Sequence, residues 1–392
     1  MRKMNELKHI FIFFIILLMS VSLFSTKLDN YVYSFEPDEL IRKSDKNLNA
    51  LGLYLKYIET GNQAYKNTAN MLRSENMESL SSDDSIALNI LSESMPYNYS
   101  FIQNRLRNAL NNYDNSVILN SLFTTFSFRI WEKERSLSLE QTIIEKTKKI
   151  EENIGLNPLS AYYFSYIKWY SKYIAEPGES FTKLNNIYKN FPENKSIIEL
   201  LTTISFESQR YEDLKNLYEI YTNFIEKNDR TMLIFAKGFQ KLENNSQSIK
   251  ILENVIEQSN NKYVLSSSYE LMGDISNTNS QKILYYKTSL DYDPQNPNSL
   301  FKLANSYYEE DKKKNLNMVR ILLQKSLHFN KDNKEAQLLL KKINFDFMVE
   351  NFLINILPYF LFFSFVFFFT YYLLIKKSPK ERTEISDEEH EN

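Results

Sequence analysis

Three prolines share a phase. Pro158, Pro192 and Pro294 stand 34 and then 102 residues apart, and the second interval is three times the first. Each follows an apolar-periodic stretch, "IEENIGLNP", "LNNIYKNFP" and "YYKTSLDYDP". A proline cannot continue a helix, so the spacing predicts a helix exit and a turn at each one. The apolar positions keep the same interval: Leu184, Tyr218, Leu252 and Tyr286 are 34 apart, as are Ile187, Tyr221, Val255 and Ser289, and Ile198 and Met232. Within one unit, Leu201, Ser205, Leu214, Tyr218 and Tyr221 fall on the facing sides of two antiparallel helices. No such unit buries its apolar face alone, so each must bury it against its neighbours, and the chain is expected to be an elongated array.

Composition agrees with an all-α chain. Six glycines in 392 residues are too few for Rossmann, P-loop or hairpin-rich β folds, which need glycine at fixed backbone positions. There is no cysteine, which excludes disulfide frameworks, thiolate zinc sites, thiol nucleophiles and a lipoprotein anchor. A net charge of −2 gives no general attraction to nucleic acid.

The period and its residues resemble the tetratricopeptide repeat (TPR). The family pattern of a large residue, Leu-Gly or Leu-Ala, then an aromatic is similar to Tyr269, Met272 and Gly273, with Ser289 and Pro294 further on, and to Leu300, Leu303, Ala304 and Tyr307. A weaker copy runs through Met232, Phe235, Ala236, Phe239, Ser248, Leu252 and Val255. The resemblance covers residues 160–343 and implies an α-solenoid of helix–turn–helix repeats. Residues 116–159 read as a degenerate unit, and 27–115 as either degenerate repeats or an unrelated helical cap. The position of Gly273 implies a tight approach of two helices, so a bulky residue there should destabilise the array.

Both ends are apolar. Residues 10–24, "IFIFFIILLMSVSLF", follow Arg2, Lys3 and Lys8, so residues 1–26 fit a cleaved signal peptide or an uncleaved anchor. Residues 352–375, "FLINILPYFLFFSFVFFFTYYLLI", carry no charge; as a helix they extend roughly 36 Å, enough for a ~30 Å hydrocarbon core, with a kink expected at Pro358. Lys376, Lys377, Lys380 and Arg382 follow. By the positive-inside rule both ends are cytoplasmic and the middle lies outside. The stretch 376–392 reads as a disordered acidic cytoplasmic tail.

Catalytic motifs are missing. His9, His328 and His390 cannot be brought together by any local pattern, and there is no G-x-G-x-x-G, P-loop or H-E-x-x-H sequence. The expectation is therefore not an enzyme, with no cofactor and no metal. Candidate partner-binding residues come from the first helices of the units, the concave face in the family. They are Tyr162, Trp169 and Tyr173, expected to point away from the stack while Phe164, Ile167 and Ser171 face it; the basic trio Arg230, Lys237 and Lys241; and Asn305 with Tyr308. What the resemblance and the end segments imply is a membrane-anchored scaffold. It would bind a protein or peptide, and no nucleic acid, outside the bacterial cytoplasmic membrane, in envelope assembly, export or complex organisation. The other reading is a structural subunit of a larger membrane machine, whose membrane helices make the specific contacts.

Overall fold

Side chains that start helices mark out the repeat. The structure is a computed structural model describing residues 27–75, 80–225 and 227–377; the first apolar segment and the tail from 378 onward lie outside the described residues. A 3-10 turn at Lys27–Val32 and a short helix α1 (Pro37–Ile41) lead into α2 (Lys46–Thr60), α3 (Gln63–Glu75), α4 (Ser82–Glu93), α5 (Tyr99–Leu110), α6 (Val117–Glu134) and α7 (Leu137–Ile154). Then come α8 (Pro158–Tyr170), α9 (Pro177–Asn190), α10 (Lys195–Glu207), α11 (Tyr211–Tyr221), α12 (Asp229–Lys241) and α13 (Asn245–Gln258). The chain continues through α14 (Lys262–Ile275), α15 (Asn279–Tyr292), α16 (Pro297–Glu310), α17 (Lys312–Phe329), α18 (Lys334–Asn351) and α19 (Leu357–Lys377).

Every even-numbered helix up to α18 is preceded by a side chain that accepts a first-turn backbone amide. These caps are Asp45, Ser81, Ser116, Asn157, Asn194, Asn228, Asn261, Asn296 and Asn333. Each contributes about 1 kcal/mol and fixes where a helix pair begins, whereas α7, α9 and α11 start without a side-chain cap. Pro158 does not end a helix, as its phase suggested. It is the first residue of α8, directly after the Asn157 cap, where its missing N–H costs nothing.

The chain divides into two compact units, with the boundary between Asn244 and Asn245. The weakest copy of the repeat, Met232 to Val255, is therefore shared between them. In unit 1 the even-numbered helices touch one another in order from α2 to α12, so they form one continuous inner row with the odd-numbered partners behind. A single apolar core runs from Leu28 to Ile167. Beyond it the 34-residue phase holds: Leu184, Ile187, Leu201, Leu214 and Tyr221 are all buried. Helices α2 to α5 form hairpins that join the same row. Gly52 lets α1 lie directly on α2, because a Cβ there would stand 2.7 Å from the Leu40 Cβ and 2.9 Å from the Pro37 carbonyl oxygen.

Unit 2 repeats the hairpin. Ile283, Tyr286, Leu300, Leu303, Ala304, Val319, Leu323, Ala336 and Ile343 form its core. Ser289 is the small residue at the contact of three helices; its hydroxyl lies 3.0 Å from that of Ser266 on α14 and 2.7 Å from that of Ser299 on α16. Gly273 faces Tyr286, as its position in the repeat implied: a Cβ there would stand 2.7 Å from Cδ1 and 2.9 Å from Cζ of the ring.

The last pair-opening helix does not stop. α18 passes through one wide turn at Phe352–Ile356 into α19, giving a helix from Lys334 to Lys376 whose apolar window is unburied and long enough to cross a membrane. Leu357 donates to the Phe352 carbonyl, five residues back. The wide turn precedes Pro358, which has no N–H to give and whose ring would strike a regular preceding turn.

Candidate partner-binding groove

The inner row of unit 1 is crossed by the chain's own N-terminal residues. Leu28, Tyr31 and Val32 are fully buried, and the Tyr31 hydroxyl lies 3.0 Å from Thr125 Oγ1 on α6. The chain then reaches outward. The Phe35 ring sits 5.4 Å from Tyr162 and 5.9 Å from Tyr163 on α8, and Tyr33 meets Phe191 at 5.7 Å. Two hydrogen bonds tie it to the start of α10: Asn194 donates to the Tyr33 carbonyl at 3.0 Å, and Ser196 donates to Glu36 Oε1 at 2.8 Å. Helix α1 carries it back onto α2, where Lys56 pairs with Asp38 at 2.6 Å. Residues 33–36 thus form a strap over α8 and α10, pinned at both ends.

Along α8 the rings of Tyr162, Tyr166 and Tyr170 stand one turn apart, 6.0 and 4.8 Å between centroids. Phe128 and Trp131 of α6 meet Tyr166 edge-on at 5.0 and 6.1 Å. Edge-to-face pairs of this kind favour a fixed ring geometry. The ladder ends at Glu207 on α10, which accepts from Trp169 Nε1 at 2.6 Å and from the Tyr170 hydroxyl at 3.1 Å. Burial pushes the Tyr170 hydroxyl up, with Glu207 beside it acting in the same direction, so Tyr170 stays a neutral donor to that carboxylate.

The sequence-based candidates divide between these surfaces. Tyr162 differs from expectation: its ring is half-buried among Phe35, Tyr163, Tyr166 and Phe128 rather than turned away from the stack. The cause is the strap, which supplies Phe35 from far away in sequence. Trp169 is half-buried on Glu207, and Tyr173, in the loop after α8, is 55% exposed. Arg230 and Lys241 are exposed on α12, and Lys237 between them is half-buried. Asn305 and Tyr308 belong to unit 2: Asn305 donates to Glu309 at 2.9 Å, and Lys342 lies over the Tyr308 ring at 5.3 Å. Sequence reasoning did not single out Tyr166, Tyr170 or Glu207. The i, i+4, i+8 spacing of Tyr162, Tyr166 and Tyr170 was the available signal.

Beside the strap, Glu36, Glu39, Lys195, Glu199, Phe224 and Ile225 help line a cavity of ≈ 450 Å³. Burial pushes the Glu39 carboxyl up, and Glu36 adds to this by repulsion. Burial also raises Glu199, although the hydrogen bond from the Tyr221 hydroxyl opposes it. Ile225 is 94% exposed at the rim. Among the described residues no group of three or more His, Asp or Glu is placed to hold a metal ion.

No family model and no curated protein matches this chain. Solved structures to which the chain bears a partial likeness include the APC/C hetero-tetramer Cut9-Hcn1, at 12% identity and a TM-score of 0.49, covering 78% of this chain and 58% of that one. Another is YrrB, a TPR protein with an unusual peptide-binding site, at 12% and 0.31, covering 60% and 97%. The human IFIT1 dimer with m7Gppp-AAAA is a third, at 15% and 0.40, covering 76% and 72%. The chain spans 58% of the length of the first of these. Its own paired helices and repeated caps carry the assignment. Over its described residues the protein is an all-α, TPR-like helical repeat array.

Proposed function

We propose that this protein is a membrane-anchored scaffold whose helical repeats bind protein or peptide partners on the outer side of a bacterial cytoplasmic membrane. One observation carries the reading: α18, a pair-opening helix capped like the others, continues unbroken into an uncovered apolar helix long enough to span a bilayer. Lysines at 376 and 377 end that helix, which supports a cytoplasmic tail and repeats on the opposite side. The residues offered to a partner are the ladder-side Trp169 and Tyr173, the basic trio Arg230, Lys237 and Lys241, and in unit 2 Asn305 and Tyr308. Tyr162 contributes where the strap leaves it open. A protein partner suits these surfaces better than a nucleic acid, since the net charge is −2 and the cavity beside the strap is lined by several carboxylates.

The alternative, a bracing subunit held by its membrane helix, would lean on polar groups in that helix. Thr370 spends its hydroxyl on the carbonyls of Val366 and Phe367, and Asn355 donates to Asn351 within the same helix. Both groups thus have a partner within their own helix. The test uses the absence of cysteine. Single Ser280→Cys and Ser386→Cys variants in spheroplasts are treated with a membrane-impermeant maleimide. Labelling at 280 and protection at 386 is the expected result; the reverse pattern would invert the topology and remove the extracytoplasmic role.

A further inference from the structure

The strap has two kinds of residue. Its ends belong to the core: Leu28, Tyr31 and Val32 on one side and Leu40, seated on Gly52, on the other, are fully buried. Its middle is tied to the core by one side chain, Phe35, which is 5% exposed. Tyr33 is exposed, and Ser34 and Glu36 are half-buried. What holds the middle down is the buried Phe35 ring against Tyr162 and Tyr163, the Tyr33 ring against Phe191, and two hydrogen bonds from the start of α10. Removing residues 33–36 from the groove therefore leaves the pinned ends in place. It uncovers an aromatic wall on α8, followed at once by two donors, Asn194 Nδ2 and the Ser196 hydroxyl. Such a surface takes an extended chain with an aromatic side chain directly followed by a carboxylate, since the wall fits the ring and Ser196 meets the acid.

We propose that residues 33–36 are a built-in occupant of the α8–α10 groove, and that the external ligand of this groove is an extended peptide of that chemistry, aromatic then acidic, which takes their place. In the resting chain the groove is closed, and a partner's apparent affinity is reduced by the fraction of molecules in which the strap is lifted. The proposal rests on the groove being a partner-binding face. It is independent of which side of the membrane the groove lies on, so the labelling experiment and the one below fail separately.

The probe is a fluorescein-labelled peptide of residues 30–38, titrated against the full-length protein in detergent and followed by anisotropy. The substitutions are made in the strap of the protein, not in the receiving surface, so the peptide finds an intact groove. Phe35→Ala removes the ring that holds the strap and should tighten peptide binding by roughly 100-fold over the unaltered protein. Glu36→Ala leaves the Phe35 ring in place, removes the Ser196 bond together with the repulsion on Glu39, and should tighten peptide binding by roughly 5-fold. A peptide carrying alanine in place of its own phenylalanine should lose the gain. Equal binding to the unaltered protein and both variants overturns the proposal. So does absence of binding to a variant whose helical melting curve is intact. Should Phe35→Ala fail to fold, Glu36→Ala decides, and no gain in that variant overturns the idea.

Discussion

Replacing Gly273 by alanine sets two effects of opposite sign against each other. Alanine gains about 1 kcal/mol over glycine inside a helix. Its methyl group, however, would stand 2.7 Å from Cδ1 and 2.9 Å from Cζ of Tyr286, so the ring must withdraw by about 1 Å to restore ordinary contact. That ring is 4% exposed, and its hydroxyl donates to Asp274 at 2.9 Å, so it has little room and a bond to lose. Overpacking of a buried ring costs about 1–3 kcal/mol, and weakening a hydrogen bond to a carboxylate adds roughly 1 kcal/mol or more. The net expectation is a destabilisation of about 1–3 kcal/mol, a fall in melting temperature on the order of 5 °C. Thermal melts of the full-length protein, followed by circular dichroism, measure it. Tyr286→Leu in the same background should restore part of the loss, because the clash and the ring disappear together. Gly178 is the control, since a Cβ there meets nothing within 4 Å, and Gly178→Ala should be neutral or slightly stabilising. A Gly273→Ala protein that melts at or above the parent temperature would refute the packing of α14 on α15 described above.

Two further outcomes concern charge. Glu199 has its carboxyl raised by burial; a raised group adds stability below its unfolded pKa of about 4.3, and this is lost as pH rises through the folded value. Glu199→Gln should therefore be the more stable protein at pH 7, with the difference vanishing near pH 4 in urea titrations at both pH values. Lys302 bonds to Glu270 at 2.6 Å and to Asp274 at 2.7 Å. Burial alone would lower its pKa, but the two carboxylates outweigh this and hold it above the usual lysine range. Its contribution is full below about pH 10.4 and is lost as pH rises through the folded value. Lys302→Met leaves two facing carboxylates and should cost about 1–3 kcal/mol at pH 7, with a flatter alkaline limb in the same urea titration.

Much of this fold was written locally. The 34-residue phase placed Leu184, Leu252, Tyr286, Ile187, Val255 and Ser289 where helices meet, and all of them are buried, while Tyr218 of the same set is half-buried. An amphipathic helix fixes its buried face by spacing alone, so such positions can be read without knowing the neighbour. The repeated asparagine caps from Asn157 to Asn333 are also local, although sequence reasoning did not single them out, and they mark helix starts more sharply than the prolines do. The scarcity of glycine and the charge-free run from 352 to 375 likewise needed no tertiary contact. The candidate groove was less legible. Tyr162 carries the spacing of an outward residue on α8, but a ring at position 35 covers it. Likewise, the bonds from Asn194 and Ser196 to the strap bridge more than 150 residues of sequence. Nothing in a periodic pattern encodes such a meeting. It depends on how far each hairpin turns on the one before, which the sizes of the packed side chains decide together. Sequence alone therefore determined the units and their buried faces; only the stacking of those units decided which inner surface the chain fills with itself.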